Sequence, residues 1–233
     1  MKFRELGRTG IKVSEIGFGA WGIGGPSRNA PGYGEVDDNE SIKALRFAYE
    51  KGVTFYDTAD LYGDGHSERI IAKAFDGLRE KIIIASKGGT LPHTGLHMPQ
   101  DFSASHLNKA LDQSLKRLKT DYIDIYQLHS PKIADIEKNE CIETLICFKK
   151  TGKIKEFGVS VRSPLDAKYL IENYDIPFVQ VNLNFIDQRL ITDGVMDLAK
   201  ERITGLIIRT PLVFGFLTGG INKNTKFKEK DHR

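Results

Sequence analysis

Three short apolar runs each end in an ionisable side chain, and a tyrosine follows the first of them closely. The stretch from Val53 to Glu68, VTFYDTADLYGDGHSE, opens as a run rich in β-formers and closes that run on the carboxylate of Asp57. Tyr62 comes five residues later, just before Gly63, Asp64 and Gly65. A second run, IIIASK over 82–87, ends on Lys87, and a third, YIDIYQLH over 122–129, ends on His129. A phenol titrates near about 10 in water, so at neutral pH it is a weak acid. A neighbouring ammonium favours the phenolate and eases release of the proton, and a carboxylate beside the lysine holds that ammonium in place. Each residue alone has an ordinary reading: Asp57 as a helix cap, Tyr62 as a packed loop aromatic, Lys87 as a solvated strand end, His129 as a satisfied core histidine. Three strand-like runs ending in three different ionisable groups argue for a site.

The elements that must position these groups alternate along the chain. Residues 3–16 hold two β-like pieces, FREL and IKVSEI, around Gly7 and Gly10, and read as a hairpin. In IGFGAWGIGGP, residues 16–26, Gly17, Gly19 and Gly22 spell G-x-G-x-x-G, and Asp37 lies about twenty residues beyond the motif's start, as in a dinucleotide fingerprint. That mechanism needs a helix opening from the glycines, and Ile23-Gly24-Gly25-Pro26 follows instead. The segment therefore reads as a short strand and a glycine loop, with Trp21 lining a pocket mouth; an ordinary core aromatic is the alternative. A helix capped by Asp38 or Asn39 runs to Lys51, and a second starts at Ser67 and stops at Gly77. From Ser103, Leu107, Ala110, Leu111, Ser114, Leu115 and Leu118 fall on one helical face. A helix around Glu137 to Lys150, a strand over 156–161 and a helix opened by Ser163-Pro164 come next. A strand over 178–183, a helix near 193–201 and a strand over 205–210 complete the alternation. Repeated strand and helix with apolar strands predicts a parallel sheet flanked by helices, without choosing between an open sheet and a closed barrel. The loop 88–102 carries His93 and His97, but Pro92, Gly95 and Pro99 argue against a helix and no third ligand is evident, so it reads as a solvated loop over the site, not a metal centre.

At the four ionisable residues the sequence resembles the aldo-keto reductases. Asp57, Tyr62, Lys87 and His129 stand in order within the phrases DTADLYG, ASKGG and QLHSP, and the similarity runs from about Phe3 to Gly220. The resemblance implies a (β/α)8 TIM barrel, an N-terminal hairpin covering its bottom, and a nicotinamide cofactor at the C-terminal ends of the strands. That cofactor is usually NADPH, with NADH the second candidate. It implies reduction of an aldehyde or ketone, with Tyr62 as general acid and Asp57, Lys87 and His129 supporting and orienting it. For the cofactor it points to Ser160 and Gln180 near the nicotinamide carboxamide, although Val161 stands where an asparagine is common. After the seventh strand the aromatic-Ser-Pro-Leu pattern is replaced by Arg209, Thr210, Pro211 and Leu212; a guanidinium can also stack, and a surface arginine is the plainer reading. The backbone from Leu212 to Leu217, with Gly215 in it, is expected to cradle the pyrophosphate, and Gly19, Trp21 and Asp57 complete the cofactor face.

Seven barrel strands can be counted, near residues 17, 54, 82, 122, 156, 178 and 205, and no eighth. A closed barrel takes ~250 residues, whereas this chain has 233 and finishes in INKNTKFKEKDHR, too polar for a strand. The expectation is one barrel domain over 1–233 whose eighth strand and helix are missing, with 221–233 a polar, disordered tail. Its first and seventh strands then present open edges. Such a chain is expected to be a truncated reductase that binds NADPH weakly, discriminates poorly against NADH and associates through the open edge. A non-catalytic binding or regulatory protein of the same fold is the alternative class. A short-chain dehydrogenase is discouraged, since no Tyr-x3-Lys occurs.

Composition narrows the setting. Lys and Arg number 34 against 31 Asp and Glu, a net charge of +3. Residues 221–233 alone supply that excess, so no nucleic-acid face is indicated. No apolar run approaches the ~18 residues of a membrane span, and the N-terminus MKFRELGRTG lacks a signal-peptide core. Cys141 and Cys147, six residues apart in one expected helix, suit neither a metal pair nor a disulfide framework, which favours the cytoplasm. A small carbonyl compound is the expected partner; its identity and the oligomeric state are not legible.

Overall fold

The structure is a computed structural model that describes residues 1–26, 32–92, 98–227, 231 and 233. Strands β1 (Phe3–Glu5) and β2 (Lys12–Ser14) pair antiparallel with Phe3 opposite Ser14, forming the expected hairpin. Seven strands follow: β3 (Phe18–Gly19), β4 (Phe55–Asp57), β5 (Ile83–Gly88), β6 (Ile123–His129), β7 (Ile154–Ser160), β8 (Phe178–Asn182) and β9 (Gly205–Arg209). They make one parallel sheet in strict sequence order. The helices are α1 (Trp21–Gly24), α2 (Asp38–Glu50), α3 (His66–Ala74), α4 (Ala104–Leu118), α5 (Ile133–Lys138), α6 (Cys141–Lys150), α7 (Pro164–Asn173), α8 (Arg189–Thr192) and α9 (Val195–Glu201). Sequential crossovers, which in parallel sheets are right-handed as a rule, put the helices on one face and curl the sheet toward a barrel. Its end strands, β3 and β9, are not hydrogen-bonded to each other. The fold is a seven-stranded partial (β/α)8 barrel, and no eighth strand occurs among the described residues.

Strand alternation divides the side chains into two cores. Tyr56, Ile84, Tyr126, Leu128, Val159 and Val181 pack outward with helical residues such as Leu45, Ile71, Leu107 and Leu145. Phe55, Ala85, Ile125, Phe178 and Ile207 pack inward with Leu6 and Val13 of the hairpin, plugging the N-terminal end of the barrel. Close approach here requires Gly7, at φ +54°: a Cβ on it would lie 2.3 Å from the Gly205 nitrogen and 2.6 Å from the Pro177 oxygen. Two residues beyond Phe55, Ala85, Ile125, Phe178 and Ile207 come Asp57, Lys87, Gln127, Gln180 and Arg209. The same period that fills the bottom with apolar groups thus lines the top with polar ones.

Local details depart from the sequence reading at three places. Helix α2 is capped by Asp37, not by Asp38 or Asn39: its carboxylate accepts from the Asn39 and Glu40 amides at 2.7 and 3.0 Å. The acid that imitated a dinucleotide fingerprint is therefore a cap. The glycine segment contains one helical turn, α1, which Gly25 closes at φ +68°. The helix expected around 137–150 is divided into α5 and α6 at Asn139 and Glu140, where Glu140 takes φ +48°. His93 and His97 lie outside the described residues; among those described, no group of three or more His, Cys, Asp or Glu is placed to hold a metal. No described helix is long and apolar enough to cross a membrane.

Candidate active site

The tips of β4, β5 and β6 converge, and Lys87 is where they meet. Its side chain is 1% exposed, enclosed at the end of β5. Its Nζ donates to Asp57 Oδ2 at 2.6 Å and to the Thr58 carbonyl at 2.7 Å, and lies 3.4 Å from the Tyr62 hydroxyl. Burial alone would pull this ammonium down. The Asp57 charge first, then Tyr62, more than offset that, so Lys87 stands above its ordinary value and stays charged at neutral pH. Asp57 is fixed from the other side as well: its Oδ1 accepts from Gln180 Nε2 at 2.8 Å and from Gln127 Nε2 at 3.3 Å. Tyr62 stands edge-on to the His129 ring, with centroids 5.8 Å apart and planes at 82°. The β6 tip that carries His129 is tied down by its own carbonyl, which accepts from Thr90 Oγ1 at 2.7 Å.

From Asp57 a polar chain runs across β8. Gln180 Oε1 accepts from Ser160 Oγ at 2.9 Å, and Ser160 Oγ accepts from Arg209 Nη1 at 3.3 Å. Arg209 Nε and Thr210 Oγ1 both donate to Asn182 Oδ1, at 2.9 and 2.6 Å. Beside this chain opens a cavity of about 1340 Å3 that reaches from the hairpin to the strand tips. Gly19, Trp21, Asp57, Tyr62 and His129 line it, together with Gln180 and the loop after β9. Trp21 packs against Tyr33, Tyr62 and Phe214 at its mouth, with centroids 4.9, 6.3 and 5.8 Å apart. In the loop after β9, Thr210, Val213 and Phe214 all take positive φ, a conformation that costs about 1–3 kcal/mol per non-glycine residue and collects at ligand sites.

A family model, the aldo/keto reductase family, matches residues 15–233. The chain belongs to that family. It is 33% identical to aldo-keto reductase YhdN of Bacillus subtilis (strain 168), over 100% of this chain and 69% of that protein. It is 32% identical to L-galactose dehydrogenase of Arabidopsis thaliana, over 94% of this chain and 67% of that protein. Among solved structures, the holo form of aldo-keto reductase AKR11C1 from Bacillus halodurans superposes with a TM-score of 0.83 at 29% identity, covering 99% of this chain and 73% of that one. The chain thus spans about two thirds of the length of these curated relatives.

For an aldo/keto reductase, the expected residues fall in one place with few exceptions. Asp57, Tyr62, Lys87 and His129 share the strand tips; Gly19, Trp21, Gln180, Arg209, Thr210, Pro211, Leu212 and Gly215 line the adjoining cavity. Ser160, fully buried, reaches it only through Gln180 and Arg209. Leu217 is not part of the lining. Sequence reading passed over Gln127, Asn182 and Arg162. Each lies two residues from a residue it did select, His129, Gln180 and Ser160, so strand alternation carried the signal.

A second polar cluster underlies the site. Glu68 is fully buried, with Oε1 accepting from Ser86 Oγ at 2.6 Å and Oε2 from Arg117 Nε at 2.5 Å. Asp60, on the turn between Asp57 and Tyr62, is half-buried, with its Oδ1 shielded from solvent and unpartnered. Burial, and then the Glu68 charge, push its carboxyl up to about 8, against the opposing pull of Arg117.

Proposed function

We propose that this aldo/keto reductase uses a nicotinamide cofactor to reduce an aldehyde or ketone, with Tyr62 as the general acid. One observation carries the reading: a buried, charged Lys87 held between the Asp57 carboxylate and the Tyr62 hydroxyl. Tyr62 gives its proton to the carbonyl oxygen as negative charge develops there. Lys87 stabilises the phenolate that remains, Asp57 fixes the ammonium, and His129 orients the carbonyl against Tyr62. The Ser160–Gln180 pair, the aromatic mouth around Trp21 and the loop from Thr210 to Gly215 fit the two ends of a dinucleotide: amide donors and acceptors beside the tetrad, exposed backbone further out. NADPH is the first candidate and NADH the second, and a bound nicotinamide supplies the hydride that reduces the carbonyl carbon. Residues 1–233 are read as one barrel-type unit acting on a small molecule in the cytoplasm, where free Cys141 and Cys147 stay reduced.

The test is NADPH consumption by the purified chain with a panel of aldehydes, run beside a fluorescence titration of NADPH. Turnover that collapses in Tyr62→Phe while the cofactor still binds is the expected result. Cofactor binding with no turnover on any aldehyde would favour a non-catalytic binding protein.

A further inference from the structure

Among the described residues, two arginines face the cavity near the tetrad without a carboxylate to neutralise them. Ser160 of β7 is in register with Gln180 of β8, and Asn182 of β8 with Arg209 of β9. Two residues past Ser160, Arg162 comes roughly level with Asn182, so Arg162 and Arg209 flank the same strand end. Two strand spacings separate their Cα atoms by ~10 Å, a gap that two long side chains readily narrow. Both line the cavity that holds Tyr62 and His129.

Their hydrogen-bond partners are neutral: Ser160 and Asn182 for Arg209, the Met98 thioether for Arg162. The carboxylates that share the lining are committed or remote. Asp57 belongs to Lys87, and Glu5 and Glu15 lie on the hairpin at the other end, Glu15 paired with Arg4. Arg233, which also lines the cavity, is paired with Asp231. Partial burial and then the Arg209 charge pull Arg162 below its usual value, which reports two like charges within reach of each other. Arg162 is exposed and Arg209 half-buried, so solvent screens much of their repulsion. An anion between them would turn two like charges into attractive contacts, and planar guanidinium forks match carboxylate and phosphate oxygens.

We infer that Arg162 and Arg209 form an anion subsite beside Tyr62, and that the substrate is an aldehyde or ketone bearing a carboxylate or phosphate group. The inference rests on the carbonyl-reductase reading for the identity of the ligand, but the anion site itself stands on the two arginines. A cofactor phosphate offers the same chemistry, and the experiment separates the two sources.

The first arm omits cofactor. Succinate and inorganic phosphate are titrated against neutral succinamide, followed by calorimetry and by the fluorescence of Trp21, the single tryptophan. Binding of the anions but not of succinamide, weakened about tenfold in Arg162→Gln and less in Arg162→Lys, is expected for a bidentate guanidinium contact. Equal binding of all three, or anion binding unchanged in Arg162→Gln, overturns the site. The second arm compares kcat/KM for 4-carboxybenzaldehyde and benzaldehyde. A preference for the charged aldehyde that shrinks about tenfold in Arg162→Gln, with the Kd for NADPH held within about threefold, supports the substrate assignment. A preference unchanged in the variant while NADPH binding weakens gives the arginines to the cofactor and overturns that assignment. Anion binding that depends on Arg162, in a chain that reduces neither aldehyde, upholds the site and defeats the reductase reading instead.

Discussion

Replacing Lys87 with methionine removes one charge and keeps most of the volume, so it isolates what the ammonium does. Its Nζ lies 3.4 Å from Tyr62 Oη. Two full charges at that separation interact by about 5 kcal/mol at an effective dielectric constant of about 20. With half a unit of charge on the phenol oxygen at the transition state, about 2.5 kcal/mol is lost, or roughly 70-fold in kcat. Folding suffers too, because Asp57 loses its 2.6 Å partner while 16% exposed. Breaking a buried pair costs ~3–5 kcal/mol, and the lower end applies here. Gln180 and Gln127 still donate to Asp57 after the substitution. The assays are kcat at saturating aldehyde and NADPH, its pH dependence, and a urea melt. A variant within about threefold of wild-type kcat, with an unchanged pH–rate profile, would falsify the role given to Lys87.

Tyr62→Phe removes the proposed proton donor at nearly constant volume: turnover should fall ~10²–10⁴-fold with the NADPH Kd nearly intact, and a variant keeping more than about a tenth of the activity would deny Tyr62 the acid role. Arg117→Met strands the fully buried Glu68 carboxylate, and a loss of ~3–5 kcal/mol in urea unfolding is expected; a loss below about 1 kcal/mol would mean that Ser86 alone satisfies it. Asp60 is raised from its ordinary 3.8 to about 8, so the folded chain keeps a proton that the unfolded chain releases, and stability falls as pH rises from about 4 through 8. Asp60→Asn removes this slope, worth up to about 1.4 kcal/mol per pH unit; urea midpoints at pH 6 and 8 that decline in parallel for variant and wild type would rule it out.

The barrel class and the tetrad were legible because both are written in short-range patterns. Apolar runs ending in Asp57, Lys87 and His129 announce buried strands with ionisable tips, and the family's phrases assign them to a barrel. Gln127, Asn182 and Arg162 were passed over although the same alternation places them beside the selected residues. What sequence could not supply was contact across the sheet. That Gln180 bonds Asp57, 123 residues away, depends on the register of strands that meet only after the sheet has curled. The cap of α2 went to Asp37 because both Asp37 and Asp38 suit the position, and only backbone geometry separates them: Asp37 is extended at φ −98°, ψ 123°. Asp60 and Glu68 gave no signal as carboxylates, since burial, not residue type, makes them unusual.

The two halves of the proposed chemistry rest on different parts of the sheet. Asp57, Lys87 and His129 stand on β4, β5 and β6, each hydrogen-bonded to a strand on either side. The turn leading to Tyr62 is pinned as well: the Thr58 amide donates to the Ala85 carbonyl at 2.7 Å and Thr58 Oγ1 to Ser67 Oγ at 2.9 Å. Gly19 and Arg209, by contrast, sit on β3 and β9, the strands with one partner each, and β3 is two residues long. Local opening free energies follow the number of ladder bonds and buried contacts an element has. The proton-transfer group, and with it Ser160 and Gln180 on the doubly paired β7 and β8, is therefore built into the stable centre of the sheet, whereas Gly19 and Arg209, proposed for cofactor and anion, lie on its weaker rims. An arrangement of this kind preserves the chemistry of the tetrad while leaving affinity open to whatever pairs with β3 and β9.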